Sequence, residues 1–264
     1  MLNRLVSFFI TFILCATSSH AAEYKLAIQP ILPQAELKSS YQPLADYLSK
    51  ATGHTITIST HRTFITYWSD MRKNDKGFDL VLDAAHFTDY RVQKAGYTVL
   101  AKFPDTVSFS IVTKDDSFIL DTSELLSKRI ATLPSPSLGA LRLEEIFPNP
   151  MRIPNYIWEI NSAAAIESVL SGKNDAAIVP TRLASSYEGL NIVMETEPVP
   201  HMGFSASPDV PTDVANKIRD ALVNANTTPE GKEMLSLLKV NKFDPADNET
   251  YAGYAQLLKA NYGY

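Results

Sequence analysis

The strongest constraint in this sequence is an alternation of short apolar strands and amphipathic helices that runs once, restarts, and is closed by helices. Residues 24–28 read as a strand, and 41–51 as a helix with Leu44, Tyr47 and Leu48 at helical spacing and Gly53 as its stop. A strand at 55–60, a helix at 64–71, an apolar strand at 79–82, a helix at 85–95 ended by Gly96 and a strand at 98–102 continue the series. Such alternation predicts a parallel-type sheet covered by helices. After a strand at 107–113 a second set begins, with strands at 129–133, 156–160, 176–179 and 192–194 and helices at 138–147 and 163–170. Residues 195–200 carry two prolines and suit a crossing segment before a strand at 201–205; only helices are expected after it, at 212–226, 229–238 and 248–261. One unit is thus inserted into another. The expected fold is α/β, with two lobes (22–107 plus 202–264, and 108–201), each a mixed sheet flanked by helices. Two crossover strands around Val107 and His201 join them, and the cleft between them is the natural site.

The N-terminus reads as an address. Arg4 precedes an apolar run, 5–16, broken only by Ser7 and Thr11, and a small, polar stretch follows at 17–21. This is the layout of a secretory signal peptide, with cleavage expected after Ala21 and Ser19 and Ala21 at the small-residue positions. The run is too short to span a membrane comfortably. Cys15 is the only cysteine, so the exported chain has none, which excludes disulfides, thiolate metal sites and cysteine nucleophiles. The formal net charge of −5 becomes slightly more negative once Arg4 is lost. That balance argues against nucleic acid or an anionic membrane as partner. A periplasmic, cofactor-free monomer is expected.

The best chemical site lies at Ser135-Pro-Ser-Leu-Gly139. Ser135 is suited to cap a helix whose first position is Pro136, leaving free N–H groups at Ser137, Leu138 and Gly139 that attract an anion. Gly139 permits close approach. Arg142 lies on the same stripe, either leaning toward the site or paired to Glu145. Further candidates follow the carboxyl ends of strands, where ligands of parallel α/β sheets sit. These are Gln29 after the first strand, His61 and Arg62 after the second, Asp83 and His86 after the third, and Asn161 and Ser162 in the second lobe. Tyr41, Trp68 and Tyr90 are apolar-wall candidates whose ordinary place is the core. Asp83 alternatively caps the helix after it.

Catalysis finds little support. No Gly-x-Ser-x-Gly elbow, His-Glu-x-x-His pair or phosphate-binding glycine pattern occurs in the exported chain. A metal held by Asp83, His86 and His61, or an enzyme on the same fold, remains a remote alternative.

Several phrases resemble the phosphate/phosphite/phosphonate-binding (PhnD-like) periplasmic proteins of ABC importers, a branch of the type II two-lobe binding proteins. They are Tyr41-Gln-Pro-Leu-Ala-Asp-Tyr-Leu48 with Ala51-Thr-Gly53, Phe78-Asp-Leu-Val-Leu82, Ser123-Glu-Leu-Leu-Ser-Lys-Arg-Ile-Ala131, Ser135-Pro-Ser-Leu-Gly139, and Ile166-Glu-Ser-Val-Leu-Ser-Gly172 with Asp175-Ala-Ala177. The resemblance implies a solute-binding role, an anion loop at Ser135–Gly139 and a membrane permease as partner. A sensor kinase is the alternative partner. The chain departs from the family's Ser-Thr-Ser-Gly run through Pro136 and Leu138, has Asn161-Ser162-Ala163 where a histidine is usual, and carries Asp83-Ala-Ala-His86-Phe87 at the third strand's end. The expected ligand is a small oxyanion held by Ser135, Ser137 and Gly139 with help from Asn161 or Ser162, and closed over by Gln29, Tyr41, Asp83 and His86. An aminoalkylphosphonate zwitterion would suit both ends, its ammonium meeting Asp83.

Overall fold

The computed structural model describes residues 21–73, 78–259 and 264. The expected signal peptide, with Cys15, lies outside the described residues apart from Ala21. Strand β1 (Glu23–Ile28) leads through Pro33 into α1 (Gln34–Thr52), which returns to β2 (Thr55–Thr60). Then come α2 (Phe64–Arg72), β3 (Leu80–Asp83), α3 (Ala85–Ala95) and β4 (Thr98–Lys102). Two residues of β5 (Thr106–Val107) precede β6 (Phe109–Lys114), β7 (Arg129–Thr132), α4 (Leu138–Ile146), β8 (Asn155–Trp158), α5 (Ser162–Leu170), β9 (Ala176–Pro180), α6 (Thr181–Ala184) and β10 (Leu190–Glu195). The chain returns through β11 (Val199–Pro200) to β12 (Gly203–Ala206), α7 (Thr212–Val223), α8 (Pro229–Leu237) and β13 (Asp244–Pro245).

Apart from β5 and β11, these strands form two mixed sheets. The first has the order β13-β4-β12-β3-β1-β2, the second β10-β6-β9-β7-β8. In the first, β1 runs parallel to β2 and β3, while β12 inserts antiparallel between β3 and β4. In the second, β7 runs parallel to β8 and β9, with β6 antiparallel to β9. The chain crosses between sheets twice, and the crossing segments β5 and β11 pair antiparallel, Val199 opposite Val107 and Pro200 opposite Thr106. That is the type II two-lobe arrangement with two crossover strands.

Helix α1 starts seven residues before the position its sequence suggests. Pro43 fits a first turn and so marks an apparent start, yet it lies inside the helix. The carbonyl it leaves without a donor is that of Ser39, an exposed residue that water can serve. Burial of Leu37, Tyr41, Leu44 and Leu48 along one stripe carries the helix through, and Gly53 ends it in the left-handed region at φ 77°. The C-terminal segment also differs from expectation. Instead of helices alone, β13 extends the first sheet beside β4, and residues 249–251 and 254–258 form 3₁₀ turns separated by Gly253 at φ 92°. Residues 260–261 of the expected last helix lie outside the described residues.

Candidate ligand cleft

The anion loop folds differently from its sequence reading, and the difference moves the cap by two residues. Ser137, not Ser135, caps α4: its Oγ accepts from Ala140 N–H at 3.4 Å and donates to Leu133 O at 3.0 Å. Ser137 N–H is not free, because it donates to Pro134 O at 3.0 Å in the turn before the helix. Ser135 points its hydroxyl at Glu144 Oε1, 3.2 Å away, and Pro136 precedes the cap rather than opening the helix. The first-turn donors of α4 are therefore Leu138 and Gly139, which have no preceding-turn carbonyl to bond.

Around this helix start is a small cavity of about 40 Å³ lined by Gln29, Thr132, Ser137, Gly139 and Ser162, with Ile31, Phe64, Phe109 and Leu138 among its apolar walls. Four expected residues, Gln29, Ser137, Gly139 and Ser162, thus meet at one place. Gln29 arrives from the end of β1, and its Oε1 accepts from Ala84 N–H at 3.1 Å, tying β1 to the start of α3. Gly139 is closely covered: a Cβ there would lie 3.2 Å from the Phe109 ring and 3.4 Å from Thr132 Oγ1. Asn161 is the cap of α5, its Oδ1 accepting from Ala164 N–H at 2.8 Å.

Thr132 is the residue sequence reading missed. It is fully buried, and its Oγ1 has no hydrogen-bond partner among the described residues. A buried hydroxyl without a partner is costly, which makes it a candidate for satisfaction by ligand. The sequence reads as a strand through residue 133, whereas β7 ends at Thr132, which puts that residue at the carboxyl end where ligands sit.

Besides Ser135 and Asn161, three expected residues are placed elsewhere. Asp83 does not face the cavity and does not cap α3, whose cap, Ala84, has no side-chain hydrogen bond. Its carboxylate is taken up by Arg91, one turn-pair further along α3, with Nη2 at 2.7 Å from Oδ1 and Nη1 on Oδ2; Tyr67 and Thr88 hydroxyls also donate to it. Both charged groups are essentially buried, at 0% and 1% exposure. Tyr41 belongs to the first lobe's core with Leu37 and Leu44, and burial pushes its phenol up to about 12. His86 bridges the lobes instead of facing open space: its Nε2 lies 3.1 Å from Pro136 O. Because a carbonyl only accepts, Nε2 carries the hydrogen, and the buried Nδ1 has no partner among the described residues. Burial, reinforced by Arg142 and Arg91 against the pull of Asp83 and Pro136 O, lowers His86 to about 4, so it is neutral at neutral pH. Arg142 pairs with Glu145 at 2.5 Å and donates to Glu197 O. Among the described residues no group of three or more His, Asp or Glu is placed to hold a metal ion.

A second, larger cavity of about 410 Å³ opens beyond the first and shares Phe64 and Leu133 with it. Its walls follow the carboxyl ends of four strands: Pro30 and Leu32–Gln34 after β1, Arg62 and Thr63 after β2, Pro134 after β7, and Trp158–Ile160 at the end of β8. Strand-end loops of both lobes thus line two neighbouring cavities that share Phe64 and Leu133. A hollow of about 520 Å³ beside Asp105 and His201 lies at the crossover strands, away from these strand ends.

Residues 26–251 match the family model of ABC transporter, phosphonate, periplasmic substrate-binding proteins. The chain belongs to that family. Its members are periplasmic substrate-binding components, so the role is solute binding for a transporter whose permease is the membrane partner. No helix among the described residues is long and apolar enough to cross a membrane. No curated protein matches the chain in sequence. In fold it is similar to PhnD1 from Prochlorococcus marinus in complex with methylphosphonate, at 16% identity and TM-score 0.76 over 90% of this chain and 97% of that one. It is also similar to a binding protein component of an ABC phosphonate transporter from Pseudomonas aeruginosa, at 16% identity and TM-score 0.72 over 90% of this chain and 85% of that one. A third likeness is XAC2383 from Xanthomonas citri bound to ATP, at 16% identity and TM-score 0.70 over 89% of this chain and 98% of that one.

Proposed function

We propose that this family member captures a solute with an oxyanion head, phosphonate or a close analogue, at the start of α4 and delivers it to an importer. Leu138 and Gly139 N–H groups, Thr132 Oγ1, Ser162 and the Gln29 amide are the groups assigned to the head; Ser137 holds the helix start in shape. Asn161 acts through α5, which it caps. The observation that carries the reading is the partnerless hydroxyl of Thr132 in the same small cavity as the first turn of α4. Partial charge at a helix start and unsatisfied donors both favour an anion there. The lobes are assigned as 22–107 with 202–264, and 108–201, and closure of one on the other is the signal read by the permease. The protein is exported after cleavage following Ala21, acts as a monomer and catalyses no reaction. A sensor kinase partner would use the same closed form, but the family match favours the importer.

Thermal unfolding of the exported protein in phosphate, phosphite, methylphosphonate and sulfate tests this reading. At least one is expected to raise Tm in a concentration-dependent way, and Thr132→Val is expected to cut that rise. No rise with any of the four, or an undiminished rise in the variant, overturns the assignment.

A further inference from the structure

The cleft has two compartments of very different size and character. The inner one holds the proposed head site in about 40 Å³, and the outer one offers about 410 Å³. They are neighbours, with Phe64 and Leu133 lining both. The outer walls are mainly apolar, and two of them are large side chains left in water: Trp158 is 51% and Ile160 69% exposed. Trp158 stands at the end of the edge strand β8, its ring 6.2 Å from that of Tyr156. Apolar surface of this size at a cleft mouth marks a place for a ligand or partner.

Charge decides which substituent suits it. Among the lining residues the carboxylate, Glu159, is bonded to Lys173 at 3.0 Å and its side chain is 13% exposed. Asp83, the other acidic group once expected at the cleft, is consumed by Arg91. Arg62 is exposed at the rim and makes no ion pair or hydrogen bond among the described residues. A ligand ammonium would therefore find its carboxylates already paired and a guanidinium beside it. A flat or branched apolar group would find Trp158, Ile160 and Leu32.

We infer that the solute is an organic oxyanion with an aromatic or branched apolar substituent, which lies against Trp158 in the outer cavity while its head occupies the inner one. This rests on the head-site reading above. It removes the aminoalkylphosphonate from first place and puts arylphosphonates ahead of methylphosphonate and the inorganic anions.

The test is calorimetric titration of the exported protein with phenylphosphonate, methylphosphonate, aminoethylphosphonate and phosphate, paired with tryptophan fluorescence. The chain has two tryptophans, of which Trp68 is buried and Trp158 half exposed, so a ligand covering Trp158 shifts the emission to the blue. Phenylphosphonate is expected to bind at least about tenfold more tightly than methylphosphonate, to bind more tightly than aminoethylphosphonate, and to produce the shift. Trp158→Ala is expected to bring the two neutral-tailed phosphonates within about threefold of each other. Methylphosphonate or phosphate binding as tightly as phenylphosphonate, or saturation without an emission shift, overturns the inference and leaves the head site standing. Should no oxyanion bind at all, the head-site reading falls and this inference falls with it. The ligand ranking is read in the wild type, so the test does not depend on the variant folding.

Discussion

Replacing Arg91 by methionine separates a structural role for Asp83 from a ligand-binding one. Arg91 lies within the first lobe, holds both carboxylate oxygens of Asp83, donates to Ser205 Oγ at 3.2 Å and stacks its guanidinium 5.3 Å from the Tyr97 ring. The methionine side chain fills much of the same volume but leaves Asp83 fully buried with only Tyr67 and Thr88 as donors. Removing one partner of a buried pair costs about 3–5 kcal/mol, whereas replacing both by uncharged groups is often near neutral. Arg91→Met is thus expected to lose about 3–5 kcal/mol of unfolding free energy. Asp83→Asn combined with Arg91→Met should regain at least about half of it, since no unpaired charge then remains. Urea unfolding of the wild type, both single variants and the double variant measures this directly, provided the slopes agree. A single-variant loss under about 1 kcal/mol, or a double variant as unstable as the sum of the singles, would refute the argument. A large effect of Asp83→Asn on ligand affinity at unchanged stability would return Asp83 to the cleft.

The remaining predictions concern the cleft and its closure. Burial holds His86 near 4 in the folded protein, against about 6.5 when unfolded, so between those values the unfolded chain binds more protons. Stability is complete above about pH 6.5 and is lost as pH falls toward 4, by up to about 3 kcal/mol from this residue. Urea unfolding at pH 7 and pH 4.5 should show His86→Gln losing less than wild type; equal losses contradict it. Thr132→Val should raise the stability of the ligand-free protein by about 1 kcal/mol by removing a buried hydroxyl without a partner, while weakening oxyanion binding. A stability decrease would show that the hydroxyl is already satisfied. Gly139→Ala sets a gain of about 1 kcal/mol in helix propensity against crowding of Phe109 at 3.2 Å that costs about 1–3 kcal/mol. Stability should therefore change little while phosphonate affinity falls at least about tenfold, and titration showing unchanged affinity would remove Gly139 from the site.

How far the sequence carried the account varies residue by residue. The order of strands and helices was legible because each element keeps one period of burial long enough to read. Leu80, Val81 and Leu82 are buried on both faces, and Thr98–Lys102 is bounded by Gly96 and Pro104. Helix α1 was cut short because Pro43 looks the same in sequence whether it opens a helix or interrupts one. The cap of α4 was misplaced for a related reason: Ser135 and Ser137 are both good caps, and only the turn bonding Ser137 N–H to Pro134 O decides between them. Asp83 was misassigned because its partner lies eight residues away and meets it through α3's path beside β3, a tertiary fact with no local signal. Thr132 was read as an ordinary strand residue, since the absence of a partner for its hydroxyl exists only in three dimensions.

The central claim is that the first turn of α4 and Thr132 bind an oxyanion head. Calorimetric titration of the exported protein with methylphosphonate, in wild type and in the Thr132→Val, Gly139→Ala double variant, tests it most directly. The account predicts saturable binding of one ligand per chain in the wild type and an affinity at least about a hundredfold weaker in the variant. Equal affinity in the two proteins would contradict it.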